Sequence, residues 1–370
     1  MAKMESGKRQ KLIGGLFINL TLLLLVLIWT IPTMGIFVSS FRNRDDIADS
    51  GWWKVFPYRD WQPIQEIDPK AAGLNPDGVM QIEGVSGTFE QFRAGIETPN
   101  GERVTWIGNK RIGKVEVQKQ VWTVDWNFSL DNYRQVLGGQ DFTFKRPDGT
   151  VETVPGDNMN RAFLNSLTVS VPATVIPILI ATFAAYAFAW MKFPGRRGMF
   201  IMVVALLVVP LQIALVPLLR DYKALNLNGT FLAIWLAHTG FGLPLATYLL
   251  YNYVSTLPRD IFESAFIDGA SHFTVFTQLV LPLSVPALAS FAIFQFLWVW
   301  NDYLVALIFL GGNPEFELVT QRMAAIVGSR GQDWHLLTAG AFVSMILPLA
   351  VFFGLQRYFV RGLLAGSVKG

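Results

Sequence analysis

The residues that could do chemistry are few. Asp260, Glu263 and Asp268 stand in Thr256–Pro286, TLPRDIFESAFIDGASHFTVFTQLVLPLSVP, a partly polar stretch between two long apolar runs. Asp302 stands in Trp298-Val299-Trp300-Asn301-Asp302-Tyr303, near the end of the second run. No base or metal partner accompanies them: His238, His272 and His335 are scattered, and no pair has ligand spacing. There is no cysteine, which removes disulfides and thiolate chemistry. A Gly-x4-Gly-Lys-Ser/Thr phosphate loop is also missing, so the chain is not expected to bind or hydrolyse ATP. The carboxylates of 256–286 therefore read as charges left for water or a basic partner. Asp302 differs, because an acid in an apolar stretch is by default a functional residue. Counted from Pro286 it lies about 24 Å along a helix, near an interface, where its Trp and Tyr neighbours suit an aromatic belt. A structural role at the interface and a pathway-lining role for Trp300, Asn301 and Asp302 both stay open.

The elements that hold the first group are short helices. Pro258 suits a first helical turn, where a missing N–H costs nothing. Ile261, Phe262, Ala265 and Phe266 then form an apolar stripe on one face. Gly269 can close that helix in the left-handed conformation. Ser271 can cap a second helix, expected to run apolar through Leu279 and to stop near Pro282. Two angled helices with an exposed apolar face make an element that docks on something.

Composition places this element beside a membrane. The chain is 52% hydrophobic and 15% charged, with a mean hydropathy of +0.38. Charges are absent in blocks of the roughly 20 residues a spanning helix needs: Leu12–Phe41, Ala162–Met191, Gly198–Leu219, Ala224–Pro258, Gly269–Asn301 and Leu336–Gln356. Six transmembrane helices follow. Lys3, Lys8, Arg9 and Lys11 precede the first, Lys192, Arg196 and Arg197 follow the second, and Arg357, Arg361 and Lys369 follow the sixth. The positive-inside rule puts those segments, both termini and the 256–286 loop in the cytoplasm. Arg42 and Arg44 run against the rule but open a long segment, where it is weak. A net charge of +3 does not argue for nucleic acid.

In order, residues 1–11 read as a flexible basic lead and 12–41 as an uncleaved first span kinked at Pro32. Residues 42–160 read as one extracytoplasmic insertion, with hairpins around Asn100-Gly101 and Asp148-Gly149 and alternation at Val115 and Val117. It is either an elaborated loop packed on the rest or a contact surface for a protein partner. Residues 161–356 hold spans two to six, with a loop at Arg220–Gly229 and another at Gly311–His335, and 357–370 form a tail.

Glu263-Ser264-Ala265, Gly269 six residues after the Glu, and Leu281-Pro282 twelve after the Gly resemble the EAA loop of ABC importer membrane subunits. That signature runs Glu-Ala-Ala-x3-Gly-x9-Ile-x-Leu-Pro; here Ser264 and Leu279 depart from it by small changes of volume. The end of the chain, from Gln356 to Gly370, resembles the tail of carbohydrate-importer permeases. The resemblance implies an all-α polytopic membrane protein of six transmembrane helices with a small β-rich insertion, whose length is similar to that of α-glucoside permeases. It implies that Glu263, Ser264, Ala265, Phe266, Asp268, Gly269, Leu281 and Pro282 couple to an ATPase, and that Arg361, Gly362, Ala365 and Gly366 contact it through the tail. It also implies a non-catalytic subunit of the bacterial cytoplasmic membrane that binds no cofactor or metal itself. ATP and Mg would sit on a partner ATPase homodimer, and a second permease subunit, an extracytoplasmic solute-binding protein and a sugar would complete the system. An ion-coupled carrier would need ionisable residues in mid-span, and the spans hold almost none. A membrane-anchored module working through 42–160 would leave the loop and tail unexplained.

Overall fold

The computed structural model describes residues 2–139, 142–145, 151–154, 158–330 and 333–365. The chain divides into two compact units, residues 1–38 with 45–128, and residues 39–44 with 129–370.

The first unit begins with helix α1 (Ala2–Ser39). Residues 2–11, expected as a flexible lead, are its first turns, and Ile13–Ser39 is long and apolar enough to cross a membrane. Trp29 and Phe17 of this span are 79% and 71% exposed, as befits side chains left to lipid. After α2 (Arg44–Asp49) and a 3-10 turn at Trp52–Val55 come β1 (Tyr58–Ile67), β2 (Met80–Ile82), β3 (Val85–Gly87), α3 (Phe89–Ala94), β4 (Ile96–Glu97), β5 (Glu102–Gly108) and β6 (Gly113–Thr123). The sheet order is β1-β6-β5-β4. The expected hairpin at Asn100-Gly101 is present, with Ile96 opposite Val104 and Gly101 at φ 77°, which glycine adopts without a Cβ penalty. The β1–β6 register slips between Pro63 and Gln65, because a proline has no N–H to give the ladder. Val104, Trp106, Val115, Met80, Phe89 and Phe92 form the core of this unit.

The second unit holds α4 (Asp131–Gly138), β7 (Phe142–Lys145) and β8 (Val151–Val154), α5 (Met159–Trp190), α6 (Arg196–Ala205), α7 (Leu211–Ala224), α8 (Phe231–Val254), α9 (Arg259–Ile267), α10 (His272–Val275), α11 (Leu281–Trp300), α12 (Leu304–Leu310), α13 (Val319–Arg330) and α14 (Trp334–Ala365). Strands β7 and β8 pair antiparallel; the Asp148-Gly149 turn between them lies outside the described residues. The insertion is thus shorter than the expected 42–160. Asn132 Nδ2 donates to the carbonyls of Ser40 and Arg42, both at 2.9 Å, and the Tyr133 and Ser40 hydroxyls meet at 2.7 Å. These bonds join residues 39–44 and α4 in the membrane unit.

Helices α5, α8 and α11 pack on one another, and α14 packs on α11. Ala173, Ala181 and Ala185 of α5 and Ala233, Ala237 and Ala246 of α8 are buried, small side chains that let apolar helices approach closely. Among the described residues five helices are long and apolar enough to span: Ile13–Ser39, Met159–Trp190, Phe231–Val254, His272–Trp300 and Trp334–Phe359. The expected third span is instead a pair, Arg196–Val208 and Leu211–Ala224, bent by 104°. Pro210 supplies the break: it has no N–H for a continuous helix, and Val209 before it is extended at ψ 117°. The expected loop at Arg220–Gly229 is shorter, since α7 runs to Ala224, and the loop at Gly311–His335 contains α13.

Candidate docking and coupling site

The stretch between α8 and α11 folds from its own capping chemistry. Pro258 stands at the N-cap of α9 with φ −63°. At the other end Ala270 N–H donates to Ala265 C=O at 2.9 Å and Gly269 N–H to Phe266 C=O at 3.1 Å. That crossed pair is a Schellman motif, and Gly269 occupies its left-handed position at φ 83°. Ser271 Oγ accepts from Thr274 N–H at 3.1 Å, capping α10. Gly269 and Ser271 therefore act at the places their chemistry predicted, and Pro258 stands one residue before the first turn expected for it. The helix does not stop at Pro282. It widens into a π turn at Phe276–Val280 and continues as α11. The wide turn relieves the clash a proline ring makes with the carbonyl one turn before it.

The expected apolar stripe is divided between two directions. Phe262 is fully buried and Ala265 is partly buried in the core beneath, while Ile261 is 41% and Phe266 37% exposed. Phe262 stacks on Trp190, the last residue of α5, with ring centroids 4.1 Å apart and planes at 20°. Trp190 Nε1 donates to Val254 C=O at 3.3 Å. His272 Nδ1 meets the Tyr186 hydroxyl at 2.8 Å, and its ring lies edge-on to Phe266 at 5.0 Å. One side of the element is thus clamped to the inner core of α5 and α8. The other side presents Asp260, Glu263, Ser264 and Asp268, all exposed, around Ile267 at 85% and Phe273 at 69% exposure. Ser264 Oγ donates back to Asp260 C=O at 2.7 Å and is absorbed locally. Leu281 is half-buried and Pro282 exposed in the first turn of α11. Sequence reasoning missed Trp190 and Tyr186 as anchors; their only signal was an aromatic ending to an apolar run.

The three residues weighed for a pathway hold the junction between α11 and α12. Trp300 is buried and donates from Nε1 to Ser344 C=O at 3.0 Å, edge-on to Phe163 at 5.2 Å. Asp302 Oδ2 accepts from Ala306 N–H at 3.1 Å, capping α12, and lies 3.9 Å from His238 Nε2. Asn301 is exposed, and its Nδ2 donates to Leu297 C=O at 2.8 Å. Arg361, Gly362 and Ala365 continue α14 as helix, so 357–365 is not a separate tail; Gly366 lies outside the described residues. Among the described residues no group of three metal-ligating side chains is brought together.

A bundle of apolar spans with a clamped helical elbow between two of them is the architecture of a membrane permease subunit. The chain belongs to the family of binding-protein-dependent transport system inner membrane components, whose model matches residues 174–364. It is 50% identical over 352 residues to the osmoprotective compounds uptake permease protein GgtD of Synechocystis sp., covering 95% of this chain and 91% of that one. It is 46% identical over 384 residues to the alpha-glucoside transport system permease protein AglG of Rhizobium meliloti, covering 95% and 97%. A chain in the crystal structure of a bacterial ABC transporter involved in the import of the acidic polysaccharide alginate shares the fold. There the TM-score is 0.58 at 15% identity, over 94% of this chain and 96% of that one.

Proposed function

We propose that this permease subunit works in an ATP-driven sugar importer and takes its power stroke through α9 and α10 from a separate ATPase homodimer that holds the ATP and Mg. The observation that carries the proposal is the division of the elbow's faces: Phe262 is clamped to Trp190, while Glu263, Asp268, Ile267 and Phe273 are presented outward. An element rigid on one side and bare on the other transmits force from whatever covers it. Closing of the ATPase dimer would pull on the elbow and move α8 and α11, which it joins directly, opening the pathway outward. Reversing a population of about 1:99 takes roughly 5.5 kcal/mol of differential binding, within reach of a docked apolar and charged surface.

A second permease subunit completes the pathway, and an extracytoplasmic binding protein delivers the sugar. Lys192, Arg196 and Arg197 near the elbow side of the bundle support a cytoplasmic face for the elbow and both termini. The end of α14, with Arg361, Gly362 and Ala365, makes a second contact with the ATPase together with Gly366 of the following tail. Likeness to AglG over nearly the whole chain supports α-glucosides as the substrate class. Likeness to GgtD favours a second reading, small osmoprotective solutes. The tagged chain, purified from detergent-solubilised membranes, should bring down an ATPase and a second permease. Its ATPase activity should rise with the binding protein and an α-glucoside. A chain that elutes alone without ATPase activity refutes the proposal, and stimulation by osmoprotectants in place of glucosides selects the second reading.

A further inference from the structure

In the unit that contains α1, a group of exposed aromatic side chains gathers beside the C-terminal end of the span. Trp52 rests on Gly35, where a Cβ would stand 2.6 Å from the indole Nε1. Gly35 is one turn before the end of α1 at Ser39, so the 3-10 turn Trp52–Val55 is held at the depth where the apolar span ends. The end of β6 and the residues after it are tied to the same turn: Asp125 N–H donates to Lys54 C=O at 2.9 Å, and Trp126 Nε1 to Val55 C=O at 2.8 Å. Trp53, Phe56, Trp122 and Trp126 are 62%, 55%, 67% and 67% exposed, an unusual density of bare indoles for a surface in water. Two cations accompany them. The Arg59 guanidinium lies over the Trp122 ring at 5.3 Å, and Lys54 lies over Tyr58 at 4.8 Å.

We propose that this platform is a lipid-interface anchor, with the four aromatic rings in the headgroup layer of the leaflet at the C-terminal end of α1 and Lys54 and Arg59 at the level of the phosphates. Depth is set by the Trp52–Gly35 contact. On α1 beside that contact, Ile31 and Met34 are 51% and 48% exposed, apolar side chains of a span that faces lipid. Indole rings with a wet edge and an apolar face partition to this layer, and basic side chains there add attraction to anionic headgroups. The anchor would fix the sheet of the insertion against the bilayer instead of letting it swing on the connection after α1.

The chain has no cysteine, so single cysteines report single positions. Full-length Trp53→Cys, Trp122→Cys and Val124→Cys, the last keeping every indole, would be labelled with bimane. Ile112→Cys, at an 82% exposed turn far along β5 and β6, serves as the aqueous control. The proteins would be placed in vesicles of phosphatidylethanolamine and phosphatidylglycerol. Headgroup nitroxide lipid should quench positions 53, 122 and 124 several-fold more than position 112, and iodide should show the reverse order. Iodide quenching at 53, 122 and 124 equal to that at 112 overturns the anchor. Protection from both quenchers also overturns it and shows that a protein covers the patch.

Discussion

Trp190 and Phe262 lie face to face, 4.1 Å between centroids, where the last residue of α5 holds the elbow between α8 and α11. Phe262 is fully buried there. Replacing a buried Phe by Ala costs about 3–5 kcal/mol, and here the loss falls on the clamp. Phe262→Ala should leave the spans inserted and the ATPase still able to hydrolyse ATP, while uptake falls at least as steeply as thermal stability. A stacked pair contributes about 0.5–1.5 kcal/mol beyond its buried area. A double-mutant cycle with Trp190→Ala should show coupling of that size in the melting of the detergent-purified complex, and additive effects would refute the clamp.

Gly269 has φ 83° and open space where a Cβ would go, so substitution there meets backbone strain and no clash. A left-handed residue with a Cβ costs roughly 1–2 kcal/mol, less for Asn, which tolerates that region. Uptake should therefore fall in the order Gly269, Asn, Val, with Pro worst because it cannot take a positive φ. Equal uptake across the series, measured with labelled sugar in cells, would show that the turn geometry is unimportant.

Glu263 is exposed, so Glu263→Lys should leave melting of the isolated chain unchanged while weakening recovery of the ATPase in the pull-down. Undiminished recovery and normal uptake would remove Glu263 from the docking face.

Gly242 of α8 faces the Gln295 amide, with a built Cβ 2.7 Å from Nε2, and Gln295 Nε2 donates to Ala173 C=O of α5 at 3.1 Å. Gly242→Ala must push this amide away. Overpacking of that kind costs about 1–3 kcal/mol, and the melting temperature should drop accordingly. Gly242→Ala with Gln295→Ala should be less destabilised than the sum of the two changes, because the second removes the clash made by the first.

In the insertion, hydrogen bonds from Gln118 and then Lys114 hold the Glu116 carboxyl below the usual glutamate range; the Lys114 contact is 3.0 Å. A lowered carboxyl pKa favours the ionised form in the folded state. Its contribution to stability is full above the unfolded glutamate value and is lost as pH falls through the folded value. Acid unfolding of the insertion, followed by tryptophan fluorescence, should be shallower in Glu116→Gln, which should be the less stable protein near neutral pH and match the parent once pH falls below the folded value.

Much of this protein is local chemistry, and local chemistry is legible in one dimension. The charge-free blocks mark spans because lipid offers a charge no solvent. Gly269, Ser271 and Asn100-Gly101 mark turns because each residue satisfies or permits a particular backbone geometry within a few positions of itself. What only the tertiary structure decided depends on partners far apart in the chain. Asn132 moves residues 39–44 and α4 out of the insertion by bonding to Ser40 and Arg42. Pro282 read as a stop because a proline disrupts a regular helix; the chain passes it by widening the turn before it, with Val275, Phe276 and Val280 buried beneath. Pro210 does break its helix, by 104°. The same residue type gives opposite outcomes because neighbouring helices, not the proline, decide whether the freed backbone groups find partners. The stripe on α9 was visible as apolar, but its division into a clamped face and a docking face required Trp190, whose position against Phe262 is set by the packing of α5 on α8.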